Sequence, residues 1–141
     1  MILTINQIKN CIEIENKGVK EIAKMFHTTP YIIRQICDEN HYVLNIGTCL
    51  YNYFQNHILT DNVAKELSEK YDIDRKCVLF AYINRSRKAL LIRTNFRLHT
   101  SIFRCIQIGL ETTRDIGARV HTSKSNVYYI LKMYDNLAYQ H

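Results

Sequence analysis

The sequence predicts an all-α protein of three tandem three-helix units packed into one compact chain. Three observations carry this. One proline and four glycines in 141 residues are too few breakers for linkers or a strand-and-turn fold. Apolar residues recur at helical spacing along most of the chain. The chain also repeats itself: residues 8–36 moved forward by 94 positions need no gap, and a weaker copy appears at a shift of 45. Repeats of this kind indicate stacked supersecondary units. A chain of this size buries roughly two thirds of its unfolded surface, so it needs no staples.

The first unit spans 1–45. Ile5, Ile8, Cys11 and Ile12 mark one helix, Val19, Ile22, Ala23 and Phe26 a second, and Ile32, Ile33 and Ile36 a third. The second unit spans 46–92, with a basic connector to 98. There Leu67, Ser68, Tyr71 and Val78 stand where Ile22, Ala23, Phe26 and Ile33 stood. The connector, NRSRKALLIRTNFRLHTSIFR, is expected in part to continue the helix begun near Asp74, with ALLI packing inward. The third unit spans 99–141. Cys105-Ile106 repeats Cys11-Ile12, Asp115-Ile116 repeats Glu21-Ile22, and Val127 and Ile130 repeat Ile33 and Ile36.

Each unit breaks its helical pattern in the same way. The break begins at His27, Asp72 or His121, residue types that tolerate positive φ. Two positions on stand Thr29, Asp74 or Ser123, all good N-caps, and Pro30 then takes the favoured first helical position. The chain stops, turns through one permissive residue, caps and starts a new helix.

With these residues in place, the chain resembles the helix-turn-helix superfamily of DNA-binding domains. KEIAKMFHTTPYIIRQI meets its pattern as Ile22, Ala23, Phe26, His27, Ile33 and Ile36. RDIGARVHTSKSNVYYI meets it as Ile116, Gly117, Val120, His121, Val127 and Ile130. The small residue lets two helices cross closely. The usual turn glycine is absent from all three copies. The resemblance covers most of the chain and identifies no particular member.

It implies that the second helix of the motif enters the major groove of DNA with its N-terminal half leading. Carried over by position, the groove-facing residues are Thr29, Pro30, Tyr31, Arg34 and Gln35 in the first unit. In the third they are Ser123, Lys124, Ser125, Tyr128 and Tyr129, with Lys132 a turn beyond. These residue types suit base and phosphate contact, since arginine is a two-pronged donor for guanine, glutamine pairs with adenine, and hydroxyls take phosphate or base contacts. The second unit differs, offering Asp74, Arg75, Lys76, Leu79 and Phe80 after an acidic DNVAKELSEKY. We expect it to serve packing or dimerisation, with Leu79 and Phe80 buried against another unit or chain. The outer units would then read two half-sites, and a homodimer is expected.

Charge distribution points the same way. The formal charge is +6, and residues 75–110 hold eight basic side chains and no acidic one. Such a surface meets polyanions. Arg85, Arg87, Lys88, Arg93 and Arg97 are expected to clamp phosphates without reading sequence. The ten tyrosines raise stacking on single-stranded bases as an alternative, but Tyr51, Tyr53, Tyr71 and Tyr82 sit at helical spacing and read as core or half-buried.

Other classes find little support. No phosphate loop, nucleophile elbow or HExxH pattern is present, so no enzyme and no cofactor are expected. Cys37 and His41 lie one turn apart, too few ligands for a metal site. The five cysteines show no CxxC spacing and read as reduced, buried thiols. No apolar run approaches a membrane span, and MILTINQIKN lacks the marks of a signal peptide. An intracellular protein is expected, in cytoplasm or nucleoid. The abundance of Ile, Asn, Lys and Tyr hints at AT-rich coding and a phage or mobile-element source. The expectation is thus a sequence-specific duplex-DNA-binding regulator, most simply a repressor that occupies a promoter. The alternative is a non-catalytic adaptor that docks on transcription or nuclease machinery.

Overall fold

The structure is a computed structural model and describes residues 2–140. Ten α-helices and no strand occur among the described residues. The chain divides into two compact units, one up to Leu44 and one from Asn45 onward.

The first unit holds α1 (Ile5–Glu13), α2 (Val19–Met25) and α3 (Pro30–Glu39). Thr4 and Gln7 start α1 with a reciprocal capping box: Gln7 N–H donates to Thr4 Oγ1 at 3.3 Å, and Thr4 N–H donates to Gln7 Oε1 at 2.8 Å. One stripe of each helix closes a core of Ile8, Cys11, Ile22, Ala23, Ile33 and Cys37. Ile8, Ile22 and Ile33 are fully buried, as the periodicity indicates, but on α3 Ile32 is 38% exposed and Cys37 completes the inward face instead.

The second unit holds α4 (Ile46–Phe54), α5 (Asp61–Tyr71), α6 (Arg75–Ile83), α7 (Lys88–Arg93), α8 (Phe96–Gln107), α9 (Thr113–Arg119) and α10 (Lys124–Gln140). Side-chain oxygens of Asn45, Thr60, Asp74, Asn95 and Thr112 accept from backbone N–H groups and cap α4, α5, α6, α8 and α9. Helix α6 packs on α4, α5, α8 and α10, so the second and third units of the sequence share one core.

That core is aromatic. Phe80 meets Phe96 and Tyr134 at centroid distances of 6.0 and 5.4 Å, and Phe103 meets Tyr134 edge-on at 4.8 Å. A polar string runs through it. The Tyr134 hydroxyl donates to Cys77 Sγ at 3.5 Å and lies 2.8 Å from His99 Nδ1. The phenol thus bridges the imidazole and the thiol, its one proton shared between a short contact to nitrogen and a longer one to sulfur. Asp74 N–H donates to Thr100 Oγ1 at 3.0 Å, tying the start of α6 to α8. Burial pushes His99 down from 6.5 to about 4 and, outweighing the hydrogen bonds from Tyr134 and Thr100, Cys77 up from 9.0 to about 11.

Two expectations require correction. The helix begun near Asp74 stops at Ile83 instead of running into the connector. Asn84 ends it by donating from Nδ2 to the Phe80 carbonyl at 2.9 Å, and the Arg85 guanidinium holds the Tyr82 carbonyl at 2.9 Å. The connector is a turn, then α7, then the start of α8, and residue 98 lies inside α8. Of ALLI, Leu91 is fully buried while Ala89 and Ile92 are exposed. Here α7 lies against α4 so closely that a Cβ on Gly47 would overlap the Leu91 carbonyl. The second correction concerns Leu79, which is 37% exposed; Phe80 is 2% exposed and packs on Tyr134 of the third sequence unit.

Candidate nucleic-acid interface

Three helix pairs, α2–α3, α5–α6 and α9–α10, are joined by turns of one geometry. His27, Asp72 and His121 adopt φ of 53°, 52° and 58°. The next N–H in each case reaches back five residues: Thr28 to the Ala23 carbonyl (2.9 Å), Ile73 to Ser68 (3.1 Å) and Thr122 to Gly117 (2.9 Å). This Schellman-type closure satisfies a carbonyl at the end of the first helix and turns the chain. Two residues beyond each positive-φ residue stands the N-cap. Ile32 N–H donates to Thr29 Oγ1 at 3.3 Å, Lys76 N–H to Asp74 Oδ1 at 2.8 Å, and Asn126 N–H to Ser123 Oγ at 3.1 Å. The third turn is the tightest, since a Cβ on Gly117 would meet the Thr122 oxygen at 2.8 Å.

The helix faces beyond the three caps differ. On α3, Ile33 and Cys37 turn inward, which leaves Tyr31, Arg34 and Gln35 exposed, along with Thr29 at the cap. Pro30 is half-buried. On α10, Val127 and Ile130 turn inward, leaving Ser123, Lys124, Ser125, Tyr128, Tyr129 and Lys132 exposed. Tyr31, Tyr128 and Tyr129 are 70%, 58% and 68% exposed, a large aromatic display for two short faces. The Lys132 ammonium lies 5.7 Å from the Tyr128 ring centroid, which gathers charge beside the aromatic surface. Thr29 and Ser123 use oxygen lone pairs in capping and keep their hydroxyl protons for an outside acceptor. On α6 the matching face carries Arg75, Lys76 and Leu79, and Phe80 is withdrawn into the core.

The basic residues of the connector lie in the second unit around the α6–α7 turn and on α7 and α8. Arg85, Arg87, Lys88 and Arg93 are exposed; Arg97 is half-buried. The Arg85 guanidinium stacks over Tyr82 at 4.3 Å, and Lys88 lies over Tyr51 at 5.5 Å. Gln55, at the end of α4, donates to the Arg85 carbonyl at 2.8 Å and so braces the turn. Sequence reasoning missed this contribution of α4. Its one available signal is that residues 40–60 also lack any carboxylate, so the helix packed beside the basic segment carries no opposing charge. Arg104 is different, since its Nη2 lies 2.7 Å from Asp72 Oδ1 and its charge is compensated within the chain.

Among the described residues no group of three or more His, Cys, Asp or Glu side chains is placed to hold a metal ion. Cys11, Cys37, Cys77 and Cys105 are buried thiols outside any disulfide, and Cys49 is half-buried. No described helix is long and apolar enough to cross a membrane. No protein-family model, curated protein or solved structure matches the chain.

Proposed function

We propose that the chain binds double-stranded DNA in a sequence-specific manner, as a transcriptional regulator that represses by occupying a promoter. In this reading α2–α3 and α9–α10 are helix-turn-helix pairs, and the first two turns of α3 and α10 lie in the major groove. The observation that carries it is the contrast among three turns of one geometry. After two of them the exposed helix start is polar, aromatic and free of carboxylate through Gln35 and Lys132, while α6 presents Leu79 and seals Phe80 inside.

The roles follow from the side chains. Arg34 and Gln35 suit direct reading of guanine and adenine, while Thr29, Ser123, Lys124 and Ser125 suit phosphates at the groove edge. Tyr31, Tyr128 and Tyr129 offer apolar surface to thymine methyls and hydroxyls to the backbone. Arg85, Arg87, Lys88 and Arg93 supply attraction that is independent of sequence.

The test is selection from a random duplex library at about 150 mM salt, followed by titration of the winner against scrambled DNA. An enriched motif supports the proposal, and Arg34→Ala should then cost about 1–3 kcal/mol on that motif and relax preference at one base pair. Uniform weak binding overturns sequence-specific reading. Absence of binding favours the adaptor reading instead.

A further inference from the structure

Around the α6–α7 turn of the second unit the basic residues do more than add charge. Arg85 is held twice: its guanidinium stacks over the Tyr82 ring at 4.3 Å, and its Nη1 donates to the Tyr82 carbonyl at 2.9 Å. Its other N–H groups keep their capacity for an outside acceptor. Three residues on, the Lys88 ammonium lies 5.5 Å from the ring centroid of Tyr51, which stands on α4. One amide joins the two places. Gln55 Nε2 donates to the Tyr51 carbonyl at 3.0 Å and to the Arg85 carbonyl at 2.8 Å. The buried Phe54 meets Tyr82 edge-on at 5.1 Å and so backs that ring from the core.

What holds these cations says what they fit. No carboxylate occurs in residues 40–60 or 75–110, so α4, the turn and α7 offer them none. The ion pairs among the described residues are Lys17–Glu21 and Arg104–Asp72, and neither involves Arg85 or Lys88. Arg104 shows the other arrangement, a cation met by a carboxylate of its own chain. A ring restrains a cation without cancelling its charge. Tyr51 and Tyr82 are half-buried and anchored, while Arg85 and Lys88 are exposed. Arg87 in the turn and Arg93 at the far end of α7 extend the positive charge along that helix. Fixed, unneutralised cations in a row suit an anion that repeats, as backbone phosphates do.

We propose that Tyr51, Tyr82 and Gln55 are positioning residues that make Arg85 and Lys88 a fixed clamp for the phosphodiester backbone of a DNA duplex. The second unit, whose α6 start carries Leu79 in place of a polar reading face, thus holds DNA through α4 and the α6–α7 turn instead. This rests on the chain binding duplex DNA, and not on its reading a sequence.

Titration of the full chain with a scrambled duplex at several salt concentrations tests this, using substitutions that leave the net charge unchanged. Diffuse attraction depends on charge alone and is blind to them. Tyr51→Leu and Tyr82→Leu should each weaken binding about threefold, because the cation above each ring is set loose. Together they should flatten the salt dependence by about one counterion, which a loss of folded protein would not do. Tyr51→Phe and Tyr82→Phe keep the rings and should bind as the parent does. Gln55→Leu, which unties the turn from α4, should lose as much as one leucine variant. Helical spectrum and melting temperature check each chain; should Tyr82→Leu fail to fold, Tyr51→Leu and Gln55→Leu decide the matter. Leucine variants that bind like the parent overturn the clamp alone and leave sequence preference, measured on a selected duplex, untouched. Phenylalanine variants that lose as much as the leucine ones also overturn it. A parent that binds no duplex overturns the clamp and the DNA reading together.

Discussion

Acidification should destabilise the second unit through His99. The ring is 6% exposed and packs between Phe80, Phe96 and Tyr134. Burial lowers it from 6.5 to about 4. In the unfolded chain the imidazole returns to its ordinary value, so on acidification the unfolded state takes up the proton first and gains stability. The contribution of neutral His99 is therefore fully present above pH 6.5 and is lost as pH falls towards 4. At about 1.4 kcal/mol per pKa unit, the loss from His99 is on the order of 1 kcal/mol at pH 5.5 and about 3 kcal/mol at pH 4. Urea unfolding of the parent and of His99→Phe across this range measures it. The variant loses the hydrogen bond between Nδ1 and Tyr134 and starts out less stable, yet its stability should fall less steeply between pH 6.5 and 4. The exposed His27, His41, His57 and His121 remain in both chains and cancel in the comparison. Parallel pH curves for the two chains would refute the reasoning, because they would mean that His99 is not held neutral by the fold.

Three further outcomes are expected. Gly47→Ala should cost about 2 kcal/mol or more in urea unfolding, since the added Cβ meets the Leu91 backbone carbonyl, which no rotamer can move aside. His121→Gly should raise stability by a few tenths to about 1 kcal/mol, because the turn demands φ of 58° and glycine adopts it without a Cβ penalty. If DNA binding is established, Arg87→Ala with Arg93→Ala should weaken specific and scrambled duplexes alike and flatten the salt dependence by about two counterions. A loss confined to the preferred site would assign these arginines to base reading instead.

The sequence alone determined what depends on neighbours along the chain. The turns at His27, Asp72 and His121 and the caps at Thr29, Asp74 and Ser123 are set by groups within five residues, and all six are legible as residue types at fixed spacing. The inward stripes Ile8/Cys11 and Ile22/Ala23 follow in the same way from the helical period, whereas on α3 Cys37 and not Ile32 joins Ile33. So does the exposure of Arg34, Gln35, Lys124 and Tyr128, because residues on the far side of a capped amphipathic helix have nowhere else to go.

Only the tertiary structure decided the rest, because it turns on contacts between residues far apart in sequence. Leu79 and Phe80 are adjacent and both apolar, and no local rule separates them. Phe80 is buried because Phe96 and Tyr134 come round to meet it, and Leu79 is left at a cleft because α8 and α10 stop short of covering it. The connector breaks into a turn and α7 because Gly47 lets the Leu91 backbone approach α4 and Gln55 holds the Arg85 carbonyl, pairings of 44 and 30 residues' separation. His99 reads in sequence as one more polar residue in a basic segment. The aromatic cage that holds it neutral is assembled from α6, α8 and α10, and so could be recognised only once those helices were packed together.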